Sequence, residues 1–175
     1  SAILAVIPPA QAQEFPSRPL KLVIGYPPGG PVDVSGRIIA TALEKQLGQG
    51  VVIENRGGAS GMVAAMQVAK TAPDGYTLFF AASPTQTMAP HVQKNPGYDP
   101  LKDYTPIGNA VTAPNVLVVS RQLPVRNVGE FVAWAKANPA KATFGSAGPG
   151  ASNHLTAELM VRVTGVPMLH VPYKG

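Results

Sequence analysis

Leu20-Lys21-Leu22-Val23-Ile24-Gly25-Tyr26 is a short, branched, apolar run that stops at a proline-glycine turn and hands over to apolar positions at helical spacing. A run this apolar has to be buried on both faces, as the inner strands of a parallel sheet are. Beyond the turn, Asp33 is placed to cap a helix in which Val34, Ile38, Ile39, Ala42, Leu43 and Leu47 recur at helical spacing, and Gly48 is its stop. Val51-Val52-Ile53-Glu54-Asn55 reads as the next strand. Strand, helix, strand in that order implies a parallel pair joined by a right-handed crossover.

The pattern then recurs. Gly57-Gly58-Ala59-Ser60-Gly61 opens a helix from about Met62 to Thr71, Pro73-Asp74-Gly75 turns, and Tyr76 to Ala81 returns as a third strand. Ser83-Pro84-Thr85 follows at the strand's C-terminal end, the edge from which open parallel sheets bind ligands. Ile107 to Thr112 and Asn115 to Ser120 look like two more strands, and Pro100 to Pro106 like a crossing between lobes. Asn127 with Glu130 forms a capping box for a helix ending at Asn138-Pro139. Ala142-Thr143-Phe144, a second glycine turn, a helix from Asn153 to Thr164 ended by Gly165, and the strand Met168 to Val171 complete the chain. The fold class is therefore α/β, with a cleft where two sets of strand ends converge.

The two turns are Tyr26-Pro27-Pro28-Gly29-Gly30-Pro31-Val32-Asp33 and Gly145-Ser146-Ala147-Gly148-Pro149-Gly150-Ala151-Ser152. Each sits where a strand ends and a helix begins. A helix N-terminus leaves backbone N–H groups without intrahelical partners and carries partial positive charge, so each turn is a candidate anion site. Facing each other, they could grip a small carboxylate from both sides.

Composition narrows the rest. Charged residues are 13% of the chain against roughly 25% in ordinary soluble domains, and 45% are hydrophobic, so a sizeable core can be buried. The net charge of +5 comes from 14 Lys and Arg against 9 Asp and Glu, scattered singly with few aromatics between them, which argues against a nucleic-acid surface. There is no cysteine, hence neither disulfides nor thiolate metal sites. Residues 1–12 are uncharged, hold an apolar stretch Ala2 to Ile7 and finish Ala10-Gln11-Ala12, the small-x-small pattern of a signal-peptidase site. They read as a secretory-signal remnant, and export to the periplasm is expected.

Other chemistries fit poorly. Gly145, Gly148 and Gly150 depart from the dinucleotide fingerprint, no acidic residue follows at the ribose position near Thr164 to Val166, and neither turn continues into the Lys-Ser or Lys-Thr of a phosphate loop. His91, His154 and His170 lack metal-ligand spacing, so no metal or cofactor is expected. Two alternatives stay open: an α/β serine hydrolase or esterase using Ser146 or Ser152 beside His154, although Phe144 stands where the nucleophile elbow wants glycine, and a non-catalytic interaction module.

A specific resemblance emerges from Phe15-Pro16 with Arg18-Pro19, Pro28-Gly29-Gly30 with Asp33, Glu54-Asn55-Arg56 with Gly61, and Pro73-Asp74-Gly75-Tyr76-Thr77. It continues through Tyr98-Asp99-Pro100 with Asp103, Pro106-Ile107, Gly145-Ser146 with Gly148 and Gly150, His154-Leu155 with Glu158, and Val171-Pro172-Tyr173-Lys174-Gly175. Together these resemble the Bug family, the extracytoplasmic solute-binding receptors of tripartite tricarboxylate transporters.

The resemblance implies a two-lobed periplasmic binding protein of type II, with parallel-rich sheets flanked by helices, that closes on a carboxylated solute. It implies a monomer working with the membrane components of a tripartite transporter, with no nucleic acid, no cofactor and no catalysis. Residues 13–103 would form the N-terminal lobe and residues 104–175 the second, whose return crossing is expected to be incomplete because family members continue past Pro-Tyr-Lys-Gly. Carried onto this chain, the ligand-binding residues are Pro28, Gly29, Gly30, Val32 and Asp33 from the first turn and Ser146, Ala147, Gly148, Gly150, Ala151 and Ser152 from the second. Ser83 and Thr85 are added as lining groups. Pro149 and Ala151 depart from the family's more usual asparagine and serine, removing an N–H donor and a hydroxyl.

Overall fold

The computed structural model describes residues 14–173. The expected leader remnant at residues 1–12, and the Lys174-Gly175 that ends the last motif, lie outside the described residues.

Strand β1 (Leu20–Ile24) is the centre of a three-stranded sheet, parallel to β2 (Val51–Asn55) on one side and to β3 (Thr77–Phe80) on the other. Alternation sends Leu20, Leu22 and Ile24 to one face, where they pack with Ala40, Val32, Leu43 and Leu47 of helix α1 (Pro31–Leu47). Val23 points the other way, onto Ala64 and Val68 of α2 (Met62–Val68). Lys21 shares that face but stays exposed, its ammonium 3.1 Å from Glu54 Oε2. Full burial of a Leu, Val or Ile side chain stabilises by about 1.5–3 kcal/mol, so β1 anchors this lobe.

Helix α1 begins earlier than a cap at Asp33 would place it. Gly30 is its N-cap and Pro31, whose fixed φ suits a first helical turn, is already inside. Asp33 therefore lies within the first turn, where its carboxylate takes on a different task. The stop is as read: Gly48 is left-handed at φ 65° and donates its N–H to the Glu44 carbonyl.

The second unit is a parallel pair, β4 (Thr143–Ser146) and β5 (Leu169–Pro172), connected through α6 (Ser152–Thr164) and stopped by left-handed Gly165. Helix α5 (Val128–Ala137) precedes it, with Asn127 Oδ1 accepting the Glu130 N–H at 2.9 Å and Glu130 Oε2 accepting that of Arg126 at 2.6 Å. Ala135, Ala142 and Val166 form its small core with Val132, Trp134 and Met168.

One further expectation changes. Ile107 to Thr112 and Asn115 to Ser120 form no strand, and Ile107, Val116 and Val118 are exposed. A strand needs a neighbour for its alternating N–H and C=O groups, and among the described residues none pairs with them. Ser83, Pro84 and Thr85, expected directly after the third strand, open a short helix α3 (Ser83–Thr87), followed by α4 (Ala89–Val92). Among the described residues, no helix is long and apolar enough to cross a membrane.

Candidate functional site

The first turn is built by one buried carboxylate. Asp33 Oδ2 accepts the Gly29 N–H at 2.9 Å and Arg37 Nε–H at 2.9 Å, while Asn55 Nδ2 donates to Asp33 Oδ1 at 2.8 Å and to the Tyr26 carbonyl at 3.0 Å. Asp33 is 2% exposed. The Arg37 guanidinium first, then the Gly29 amide and Asn55, hold its carboxyl at about 2 against the opposing effect of burial. Gly29 adopts φ 83°, which a side chain would disfavour. Asp33 thus shapes the turn from behind, and the N–H groups of Val32 and Asp33, first in α1, have no intrahelical acceptor.

The second turn is held by side chains from below. Ser146 Oγ lies 2.6 Å from His170 Nε2 and accepts the Gly148 N–H at 3.1 Å. Gly148 and Gly150 are left-handed at φ 111° and 80°, with Pro149 between them. The Gly150 N–H is donated to His154 Nδ1 at 3.2 Å, and that of Ala147 to Asn153 Oδ1 at 3.3 Å. Because Nδ1 accepts, His154 is neutral in this geometry and carries its proton on Nε2, 3.7 Å from Glu158 Oε1. Burial first, and then the neighbouring His170, push the His154 pKa down, while Glu158 opposes them. The rings of His154 and His170 lie 4.1 Å apart, with Phe144 stacked on His170 at 4.9 Å. The amides of Ser152 and Asn153, at the head of α6, have no intrahelical acceptor. The Ser152 hydroxyl reaches Asn115 Oδ1 at 3.4 Å.

Both turns touch a third loop, Gly57 to Gly61. The first does so through Pro27, which a Cβ on Gly57 would meet at 3.2 Å, and through the Tyr26 hydroxyl, which donates to the Ser60 carbonyl at 3.3 Å. The second does so through the Pro149 carbonyl, which accepts Ser60 Oγ–H at 2.6 Å. Thr85 is fully buried, donating its hydroxyl to the Ser60 carbonyl at 2.7 Å and accepting the Tyr98 hydroxyl at its own carbonyl. Ser83 is exposed, 3.3 Å from Thr87 Oγ1. Thr85 thus supports the third loop, and Ser83 lies on the surface of α3.

The serine-histidine pairs named as a hydrolase alternative do not form, since His154 binds the Gly150 amide. The serine that meets a histidine is Ser146, with His170. Ser146 is buried at 5% exposure, and no described carboxylate hydrogen-bonds to His170. An exposed nucleophile and an orienting acid, which triad chemistry needs, are both lacking in that pair. Among the described residues, no cluster of His, Asp and Glu could hold a metal ion. Sequence reasoning does not single out Asn55, Ser60 or His170 as site residues. Asn55 lies inside the Glu54-Asn55-Arg56 motif, and Ser60 inside a glycine turn that reads only as a helix start.

Over residues 36–175 the chain matches the family described as tripartite tricarboxylate transporter family receptor. It is 44% identical over 173 residues to the UPF0065 protein in the gbd 5' region of Cupriavidus necator, covering 98% of this chain and 52% of that one. Among solved structures it resembles Rpa4515 of R. palustris with adipate, at TM-score 0.88 and 38% identity over 93% of this chain and 54% of the other. It also resembles MatC of Rhodopseudomonas palustris with bound malate, at TM-score 0.78 and 32% identity over 92% and 55%. The chain spans about half the length of these relatives.

Proposed function

The chain belongs to the family of tripartite tricarboxylate transporter receptors, and from that premise we propose that it captures a small carboxylated solute between its two lobes. The observation that carries this reading is the convergence of two strand-to-helix turns on one loop, the first through Tyr26 and the second through Pro149.

The magnitudes favour joint capture. Micromolar binding needs about 8 kcal/mol, and one helix terminus gives about 0.3–1 kcal/mol, or about 2 kcal/mol when partly buried. Hydrogen bonds to a charged group add roughly 1.5–3 kcal/mol each before ordering costs. Several amides from both turns are therefore required, in a cleft that closes and sheds water. The amides of Val32, Asp33, Ser152 and Asn153 are the donors the geometry leaves for this. Adipate and malate, the ligands of Rpa4515 and MatC, indicate the chemical class: short chains with two carboxylates.

In this reading the receptor works in the periplasm as a monomer, without catalysis, and presents its closed form to the membrane components of a tripartite transporter. The N-terminal lobe is residues 13–103 and the second lobe begins at residue 104. Calorimetric titration of the chain with adipate, malate and a monocarboxylate control tests it. Saturable heat from a dicarboxylate is expected, and no heat from either would overturn the reading for this chain.

A further inference from the structure

Four successive residues, Gly58, Ala59, Ser60 and Gly61, have positive φ, at 130°, 47°, 55° and 88°. Two of them are not glycine. Left-handed backbone costs such residues about 1–2 kcal/mol each, and persists where the surroundings over-determine it. Here the Ser60 carbonyl is clamped by the hydroxyls of Thr85 and Tyr26, and a Cβ on Gly61 would stand 2.6 Å from Thr85 Oγ1. The clamp aims the Ser60 side chain away from the first lobe. Its hydroxyl donates to the Pro149 carbonyl, the one backbone hydrogen-bonding group a proline has. Among the described residues, only two hydrogen bonds join residues 14–103 to residues 104–173, the other being from the Tyr104 hydroxyl to the Ala65 carbonyl at 2.7 Å, and this one alone reaches the second turn.

We propose that Ser60 is a positioning residue, a latch whose hydroxyl holds the second turn against the first lobe and so sets how readily the cleft closes on a dicarboxylate. The latch rests on the capture reading above only for its effect on affinity; its effect on lobe spacing stands apart. Binding through a closed form weakens in proportion to the closed population. Loss of one neutral hydrogen bond lowers that population roughly 2- to 10-fold.

The test uses the absence of native cysteine. Exposed Lys45 and Lys136, on α1 and α5, are replaced as Lys45→Cys and Lys136→Cys and labelled for distance measurement by energy transfer. The parent is compared with Ser60→Ala, which keeps the strained backbone without the hydroxyl, and Ser60→Gly, which relieves the strain as well. Both variants are expected to show a longer or broader lobe distance before adipate is added, and roughly 2- to 10-fold weaker adipate binding with faster dissociation. Parent-like distances in Ser60→Gly, or a change confined to Ser60→Ala, would overturn the latch. If the parent itself ignores adipate while the Ser60 variants still lengthen the distance, the latch stands and the capture reading fails for that ligand.

Discussion

Asp33 turns both carboxylate oxygens inward, to Gly29, Arg37 and Asn55, and so shapes the first turn from behind. Its folded pKa of about 2 lies below the unfolded value of about 3.9. Between the two the unfolded chain binds more protons, so the contribution is complete above about pH 4 and is lost as pH falls through 2. Asp33→Asn is expected to lower stability by about 2 kcal/mol at neutral pH and to flatten the acid limb of a denaturation series; an unchanged limb would contradict this. Glu54, held at about 2 chiefly by Arg56, acts in the same window, so part of the limb remains. Gly61 carries a second prediction. Ala there meets both the left-handed backbone and Thr85 Oγ1, and Gly61→Ala is expected to lower the melting temperature by roughly 5 °C or more. A melt within a degree of the parent would show that the loop is not clamped. The two main turns were legible because glycine and proline punctuate them, whereas the roles of Asn55 and Ser60 depend on residues 22 and 89 positions away.

At the scale of elements, β1 was legible because burial of Leu20, Leu22, Val23 and Ile24 on both faces of the sheet leaves a mostly apolar run, and Gly48 marks the end of α1, whereas β2 is an edge strand whose Val52 stays exposed. Residues 107–120 misled because β-branched composition fits a strand while only a neighbour can make one. The second turn and α6 carry a pH prediction. Protonation would turn His154 Nδ1 from acceptor into donor, facing the Gly150 N–H. Phe144, Ser146 and His170 from the adjoining strands and Glu158 from α6 surround this pair, and only Glu158 favours the charged form. With the folded pKa below the ordinary value of about 6.5, the unfolded chain takes up protons first. Stability of this turn is therefore complete above about pH 6.5 and declines below it, until the folded pKa is passed. Amide exchange at residues 145–155 is expected to accelerate from pH 7 to pH 5, after correction for intrinsic rates, and His154→Gln is expected to remove that dependence. Equal protection across the range would contradict it.

Over the whole molecule, two parallel α/β units meet through the Gly57 to Gly61 loop, which neither periodicity nor motif spacing pointed to as a junction. Sequence could place each turn on its own lobe; the contact between lobes arises from tertiary packing. The central claim is that amides of both turns hold one carboxylate solute together. Titration with adipate followed by backbone amide NMR tests it most directly. The amides of Val32 and Asp33 and those of Ser152 and Asn153 are expected to shift together along a single binding curve; shifts confined to one turn, or two curves with different midpoints, would contradict the account.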